Sequence, residues 1–287
     1  MESDICPSLL LDDAGIYSNR DSDYRLTGGR SVKKEWISEG RGYGVPCIYD
    51  IKGNEDILCV VVHGLGSSKN GFMAEMMLDK LPLSGIGAIA FDLPAHGESK
   101  VEGEFLRIDN CLDDFAAVEA RAGVLAPKAE IVYFASSFGA YITLIYLAGR
   151  EPGKRRAFLR SAAVSMPLFI GRRLTPEQRV CLESAGELVI HKEQYGYFRD
   201  LKITKGYCDD LGSHDVFAIW REGLAELRMI HGEADDKIPL ADALSFAERF
   251  HVPLTVVPGG DHQLSIPGAP ELVVKHATEF FRPDIRP

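Results

Sequence analysis

The stretch Ile131-Val132-Tyr133-Phe134-Ala135-Ser136-Ser137-Phe138-Gly139-Ala140 decides how the chain is read. A nearly continuous apolar run, expected of a strand covered on both faces, ends at two serines and passes into the helical stretch Tyr141 to Leu147. A strand-to-helix turn this tight closes on itself, so it needs small residues two before and two after its central serine. Ala135 and Gly139 meet that need. The turn lifts the Ser137 hydroxyl off the sheet edge and sets it at a helix N-terminus, which makes Ser137 a candidate nucleophile. Taken alone, the segment is read equally well as an ordinary strand, turn and helix with surface serines.

Outward from this point the chain alternates short apolar runs with amphipathic stretches, the pattern of an α/β protein. Strands are predicted at Ser31–Ser38, Val45–Ile51, Ile57–Val62, Gly87–Phe91, Glu130–Ala135, Ala157–Val164, Glu226–Ile230 and Pro253–Val257. The first two have no helix between them and predict an antiparallel edge hairpin; the later ones predict a parallel sheet. From Arg107 to Ala122 the apolar residues Ile108, Cys111, Leu112, Phe115 and Val118 fall on one helical face, with Asp113, Asp114 and Glu119 expected in solvent. Further helices are predicted at Pro239–Phe250 and Ala269–Phe281, the first opening on a proline that a first helical turn tolerates. Pro167 to Gly223 is far too long for an ordinary connection and carries its own apolar residues, among them Leu182, Leu188, Val189, Tyr195, Phe198, Val216 and Trp220. It is read as an inserted cap subdomain (167–223) in a core of 30–166 and 224–287, preceded by an N-terminal extension, 1–29.

Three further segments raise the reading of Ser137 above the bland one. Val60-Val61-Val62-His63-Gly64-Leu65-Gly66 ends a strand in a loop whose glycines permit close backbone approach. Acyl transfer builds negative charge on the carbonyl oxygen, which two aimed backbone amides can hold. The amides of Leu65 and of Phe138, just after the nucleophile, are the candidates. As a phosphate loop the stretch fails: Lys69 stands where the third glycine is needed, and the chain has no Walker A pattern. A serine needs a base, and the base an orienting acid. His231-Gly232-Glu233-Ala234-Asp235-Asp236-Lys237-Ile238-Pro239 follows one strand and Gly259-Gly260-Asp261-His262 the next. Serine, acid, histidine is one of the known orders of a triad, and each residue falls just past a strand's C-terminal end, where open α/β sheets bind ligands.

These segments resemble the α/β-hydrolase superfamily of serine hydrolases from about residue 30 onward. The matching blocks are His63-Gly64-Leu65-Gly66, the turn Asp92-Leu93-Pro94-Ala95-His96-Gly97-Glu98-Ser99, the elbow at Ser137, and the H-G-x-x-D-x-x-I-P loop followed by Gly259-Gly260-Asp261-His262. The resemblance implies an α/β-hydrolase fold with a predominantly parallel, roughly eight-stranded sheet, a Ser137–His262–Asp235 triad with Asp236 as the substitute acid, and no cofactor or metal. Lys69-Asn70 and the Gly-Asp-His ending are similar to small carboxylesterases of the cinnamoyl/feruloyl type. Ala135, Ser136 and Ala140 depart from the family's usual Gly, His and Gly. The implied activity is hydrolysis of a small ester through an acyl-enzyme. Thioester, amide (aminopeptidase-like) or carbon–carbon bond cleavage, acyl transfer or perhydrolysis stay open within the fold. From another class, a non-catalytic ligand-binding protein stays open too, although such a protein normally loses part of this machinery.

Composition bounds the partners. The 287 residues are 46% hydrophobic and 26% charged, which suits one large core burying about three-quarters of the extended surface. The formal charge of −10 disfavours nucleic acid and anionic membranes as partners and leaves a small-molecule acyl substrate. The N-terminus has no basic segment leading into an apolar stretch, and no apolar run is long enough to span a bilayer. Six cysteines without C-x-x-C pairs fit a reduced, cytoplasmic setting, although an even number leaves bridges open. Asp209, Asp210, His214 and Asp215 lack metal-ligand spacing and are read as a solvated loop. His63 and His96 are expected to be structural hydrogen bonders and His231 to bond locally, with Asp261 shaping its loop and the remaining histidines on the surface. Of the aromatic residues Phe169, Tyr195, Tyr197, Phe198, Tyr207, Phe217 and Trp220, about half are expected to pack inward and the rest to line a pocket.

Overall fold

Strands with no polar residue have no side to turn to solvent, and two of these form the middle of the sheet. Ile57–Val62 (β4) and Ile86–Phe91 (β5) are buried at every position. In a computed structural model, which describes residues 22–38, 42–167, 174–195 and 198–283, the remaining strands are Ser22–Arg25 (β1), Ser31–Ser38 (β2), Gly44–Asp50 (β3), Glu130–Ser136 (β6), Arg156–Arg160 (β7), Glu187–Ile190 (β8), Leu201–Thr204 (β9), Glu226–Gly232 (β10) and Leu254–Val257 (β11). Nine of them make one sheet in the order β1-β2-β3-β5-β4-β6-β7-β10-β11, and β8 and β9 pair with each other. The predicted antiparallel hairpin is the pair β2–β3, although β1 rather than β2 forms the edge; β3 also runs antiparallel to β5, and from β5 to β11 all neighbours are parallel.

Two differences from the sequence reading have local causes. A ninth strand, β1, lies in the stretch assigned to the N-terminal extension. Its Asp23, Tyr24 and Arg25 pair with Lys33, Val32 and Ser31, and the Tyr24 hydroxyl donates to Glu75 at 2.9 Å. The strand predicted to reach Val164 stops at Arg160, because Ser161 takes a left-handed φ of 48° that turns the chain.

Helices Phe72–Lys80 (α1), Ile108–Leu125 (α2), Phe138–Ala148 (α3), Pro176–Ala185 (α4), Lys205–Gly212 (α5), Leu240–Arg249 (α6) and Ala269–Phe281 (α7) complete the layers. Apolar residues of α2 and α3 pack one face of the sheet, and Met73, Met77, Val273 and Phe280 of α1 and α7 pack the other. The stripe on α2 is buried as its spacing predicts, but Asp114, expected in solvent, is buried as well. It accepts a hydrogen bond from the Tyr43 hydroxyl at 3.0 Å, which replaces water as its partner. Leu201, Ile203, Tyr207, Leu211, Val216 and Trp220, all from the long stretch between β7 and β10, join the same apolar cluster as α2 and α3. Asp210 accepts from the Ile108 amide at 2.6 Å and Asp215 caps a helical turn at Val216–Ile219, so these acids serve the chain's own backbone.

The described cysteines (Cys47, Cys59, Cys111, Cys181 and Cys208) carry free thiols, and Cys6 lies outside the described residues. Among the described residues no helix is long and apolar enough to cross a membrane.

Phe115 stands at the centre of the α2 interface, fully buried and stacked on Tyr146 with ring centroids 4.2 Å apart. Phe115→Ala is expected to lower unfolding stability by about 3–5 kcal/mol, from lost transfer energy plus the cavity left behind. Urea denaturation followed by circular dichroism measures it; a loss below about 1 kcal/mol would contradict this account of the core.

Candidate active site

The parallel strands bring their C-terminal ends to one edge in register. Val62 pairs with Ala135, Ala135 with Leu159, and Arg160 with Ile230; on the far side Gly232 pairs with Val257. The loops that follow these ends are the four predicted segments. They meet beside β4, where the chain's crossovers leave to opposite sides and an open sheet forms its natural crevice.

Ser137 occupies the turn between β6 and α3 at φ 53°, ψ −117°. A non-glycine residue there is strained and needs surrounding structure to hold it. Gly139 supplies part of that structure, because a Cβ on it would run into the carbonyl oxygens of His63 and Val62. Gly64 lies against Ser137 from the other side; a Cβ there would stand 3.2 Å from Ser137 Cβ. Ser137 occupies the N-cap position of α3, yet its side chain makes no capping bond. The hydroxyl instead meets His262, with Oγ 3.0 Å from Nε2.

His262 Nδ1 lies 2.8 Å from Asp235 Oδ2. An ionised carboxylate can only accept, so Nδ1 carries the proton and Nε2 is left to accept from Ser137. Asp235 Oδ1 accepts from the amides of Lys237 and Ile238 at 2.9 and 2.8 Å. Its Oδ2 also lies 3.0 Å from Nε2 of the fully buried His231, which lies 3.0 Å from the Ile238 carbonyl as well. Both neighbours of that nitrogen are acceptors, so Nε2 of His231 is protonated. Burial opposes the charge on Asp235, but bonds from His231 and His262 outweigh it and hold the carboxyl well below the usual carboxylate range. For His262 burial prevails: it lowers the imidazole pKa below 6.5, despite the opposing pull of Asp235. Asp236 is exposed, and Asp261 holds its own loop by accepting from the Ser265 amide and hydroxyl at 2.7 and 2.6 Å.

The Phe138 amide opens α3, where a first-turn N–H has no intrahelical acceptor. Leu65 sits in a turn closed by the Ser67 amide donating to Gly64 O at 3.1 Å, and the Phe198 amide donates to Gly66 O at 3.0 Å. This loop is fixed from below by fully buried Lys69, whose Nζ donates to Asp92 at 2.7 Å and to Glu98 at 2.9 Å. The Lys69 amide donates to the same Asp92, which joins the His63 loop to the Asp92–Ser99 turn. His63 Nε2 accepts from the Leu93 amide at 3.1 Å, and burial pushes its pKa down to about 4, so it is a neutral structural bonder.

Sequence reasoning missed three side chains. His231 was expected to bond only locally but backs the acid. Arg160 Nε donates to Ser136 Oγ at 3.0 Å and Nη1 to the His262 carbonyl at 3.2 Å, and the Ser161 hydroxyl donates to that carbonyl at 2.8 Å. The signal available was a single arginine inside the apolar run Ala157–Val164. A cavity of about 330 Å³ opens beside Ser137, lined by Leu65, Phe138, Met166 and His262 among others, with the exposed rings of Phe72 and Phe198 at its wall. Of the other aromatic residues, Tyr207 and Trp220 are buried and Phe217 packs on Phe246 and Phe250. Phe169, Tyr197 and the Tyr195 side chain lie outside the described residues.

A model of the family described as alpha/beta hydrolase matches residues 59–276. The chain belongs to the alpha/beta hydrolase family. No curated protein matches its sequence significantly. Solved structures of the same fold include a presumed hydrolase from Agrobacterium vitis S4, with 22% identity and a TM-score of 0.71 over 87% of this chain and 98% of that one. Est1E from Butyrivibrio proteoclasticus, with ferulic acid bound, is 19% identical at a TM-score of 0.71, covering 85% and 96%. Mouse alpha/beta hydrolase domain-containing protein 10 is 18% identical at 0.67, covering 86% and 97%. In this chain the buried Lys69–Asp92 contact ties the His63 loop to the Asp92–Ser99 turn. Lys69→Met would leave the Asp92 carboxylate buried without its cation and is expected to cost about 3–5 kcal/mol in chemical denaturation; a change under about 1 kcal/mol would contradict that role.

Proposed function

We propose that the protein is a serine-dependent acyl hydrolase of the carboxylesterase kind, with Ser137, His262 and Asp235 as its catalytic triad. The observation that carries this reading is the unbroken hydrogen-bond chain from Ser137 Oγ through His262 to Asp235, at 3.0 and 2.8 Å, on a strained turn facing a cavity. Ser137 Oγ attacks the substrate carbonyl carbon while His262 Nε2 takes its proton. Asp235 keeps the imidazole in the required tautomer and stabilises the cation that forms. The carbonyl oxygen becomes an oxyanion held by the amides of Leu65 and Phe138. Collapse of the tetrahedral intermediate expels the leaving group, which receives the proton from His262. Water, deprotonated by the same nitrogen, then attacks the acyl-enzyme, and its collapse frees the acid and Ser137.

The segment 167–223 serves as a cap. It reaches the site through Phe198, whose amide bonds Gly66 beside the oxyanion loop and whose ring lines the cavity. An apolar wall of this kind suits a small ester with an apolar acyl or alcohol portion. The ferulic acid found in Est1E is consistent with that size class.

Ser137→Ala is expected to lower kcat/KM for p-nitrophenyl butyrate by about a thousand-fold or more, as loss of a triad member does. Unchanged hydrolysis in the purified variant would end this reading. The pH profile gives a second check. His262 acts only when neutral, so activity falls as pH drops through its pKa, and a pKa lowered by burial puts that limb below 6.5. A limb above 6.5 in kcat/KM would contradict the assigned base.

A further inference from the structure

The cavity beside Ser137 differs in charge from the rest of the molecule. The chain carries a formal charge of −10, yet among the described residues no aspartate or glutamate lines this cavity, whereas Arg160 and Lys237 both do. We propose that Arg160 and Lys237 form an anion subsite that selects esters bearing a carboxylate away from the bond cleaved. This inference rests on the acyl hydrolase reading and names its substrate class.

Arg160 is only 8% exposed. Two of its N–H groups are used, one on the Ser136 hydroxyl and one on the His262 carbonyl, and both acceptors are neutral. Among the described residues no carboxylate lies within 4.0 Å of it. Asp235 and Asp261 act on it only from farther away, and each is engaged elsewhere, Asp235 with two imidazoles and Asp261 with Ser265. Burial pushes its pKa down to about 10, so the guanidinium stays charged near neutrality. A buried cation without a counter-ion is unfavourable, and it gains most from an anion brought by a ligand. The planar guanidinium has N–H groups left over, spaced to grip both oxygens of a carboxylate.

Lys237 lines the same cavity from the loop that carries the acid. It is half-buried and, among the described residues, makes no ion pair. The charges of Arg160 and Lys237 both disfavour protonation of His262, so each lies within electrostatic reach of the reacting centre. A carboxylate seated between them would therefore orient the rest of the molecule toward Ser137. Were Arg160 only a brace for the His262 carbonyl, its replacement would weaken all esters alike. As a subsite residue, it changes the ratio between charged and neutral ones.

The test is calorimetric binding of methyl hydrogen glutarate and of dimethyl glutarate, which differ by one charge, to the Ser137→Ala protein. The expected result is a preference of about tenfold or more for the charged ester, shrinking as salt is added. Adding Arg160→Met should abolish the preference, and adding Lys237→Gln should reduce it. Arg160→Lys, which keeps the charge but loses the fork, provides a second variant should the methionine protein fail to fold and should retain part of the preference. Equal binding of the two esters, or a preference intact in both Arg160→Met and Lys237→Gln, would overturn the subsite. Hydrolysis of methyl hydrogen glutarate and of p-nitrophenyl butyrate by the unaltered protein is read in parallel. Charge preference without hydrolysis would sustain the subsite and sink the acyl hydrolase reading; hydrolysis without charge preference would do the reverse.

Discussion

Ser137 is held at φ 53° and ψ −117°, a conformation that costs a residue with a side chain about 1–3 kcal/mol. Backbone on every side holds it there. Its own amide donates to Arg160 O at 2.9 Å, and its carbonyl accepts from the amides of Ala140 and Tyr141 at 3.0 and 3.2 Å. Gly139 lets α3 lie directly on the end of β4, and Gly64 lets the next loop close over the serine. A methyl group at position 139 would collide with the His63 and Val62 carbonyls and push the turn away from the loop that faces it. The serine, the Leu65 loop and the helix N-terminus are therefore one rigid unit, built where the parallel strands end together.

Around this unit the charges are settled by specific partners. Asp235 stays anionic because two imidazoles and two amides surround it, although burial alone would favour its acid form. His262 stays neutral because burial outweighs the attraction of that carboxylate. His63 and His96, with pKa values near 4 and 3, are neutral through burial and serve as fixed hydrogen bonders. Lys69 finds Asp92 and Glu98. Arg160 differs from all of these, since among the described residues its hydrogen-bond partners are neutral oxygens.

Much of this was legible in the residues. Fully apolar runs such as Ile57–Val62 can only be strands covered on both faces, and the spacing from Ile108 to Val118 can only suit a helix with one buried side. The small residues flanking Ser137 announce the turn, and the loops holding Asp235 and His262 follow predicted strands, which is why the structure brings the three side chains into one hydrogen-bond chain. What the sequence hid depends on contacts between distant segments. Asp114 looks exposed until Tyr43 reaches it from the bend leading into β3. β1 is too short and polar to read as a strand without its partner β2. His231 looks like a strand end until the following turn folds Asp235 back over it. Arg160 was visible as a lone charge in an apolar run, but its role needs the His262 loop beside it.

The proposed function requires that His262 and Asp235 activate Ser137 as a nucleophile. Covalent labelling by a fluorophosphonate tests it most directly, with the adduct mapped by mass spectrometry. The expected result is a single adduct on Ser137 that forms rapidly, and labelling slowed by at least about a hundred-fold in His262→Ala, because the base is what makes the hydroxyl reactive. Labelling elsewhere, no labelling of folded protein, or an undiminished rate without His262 would contradict it.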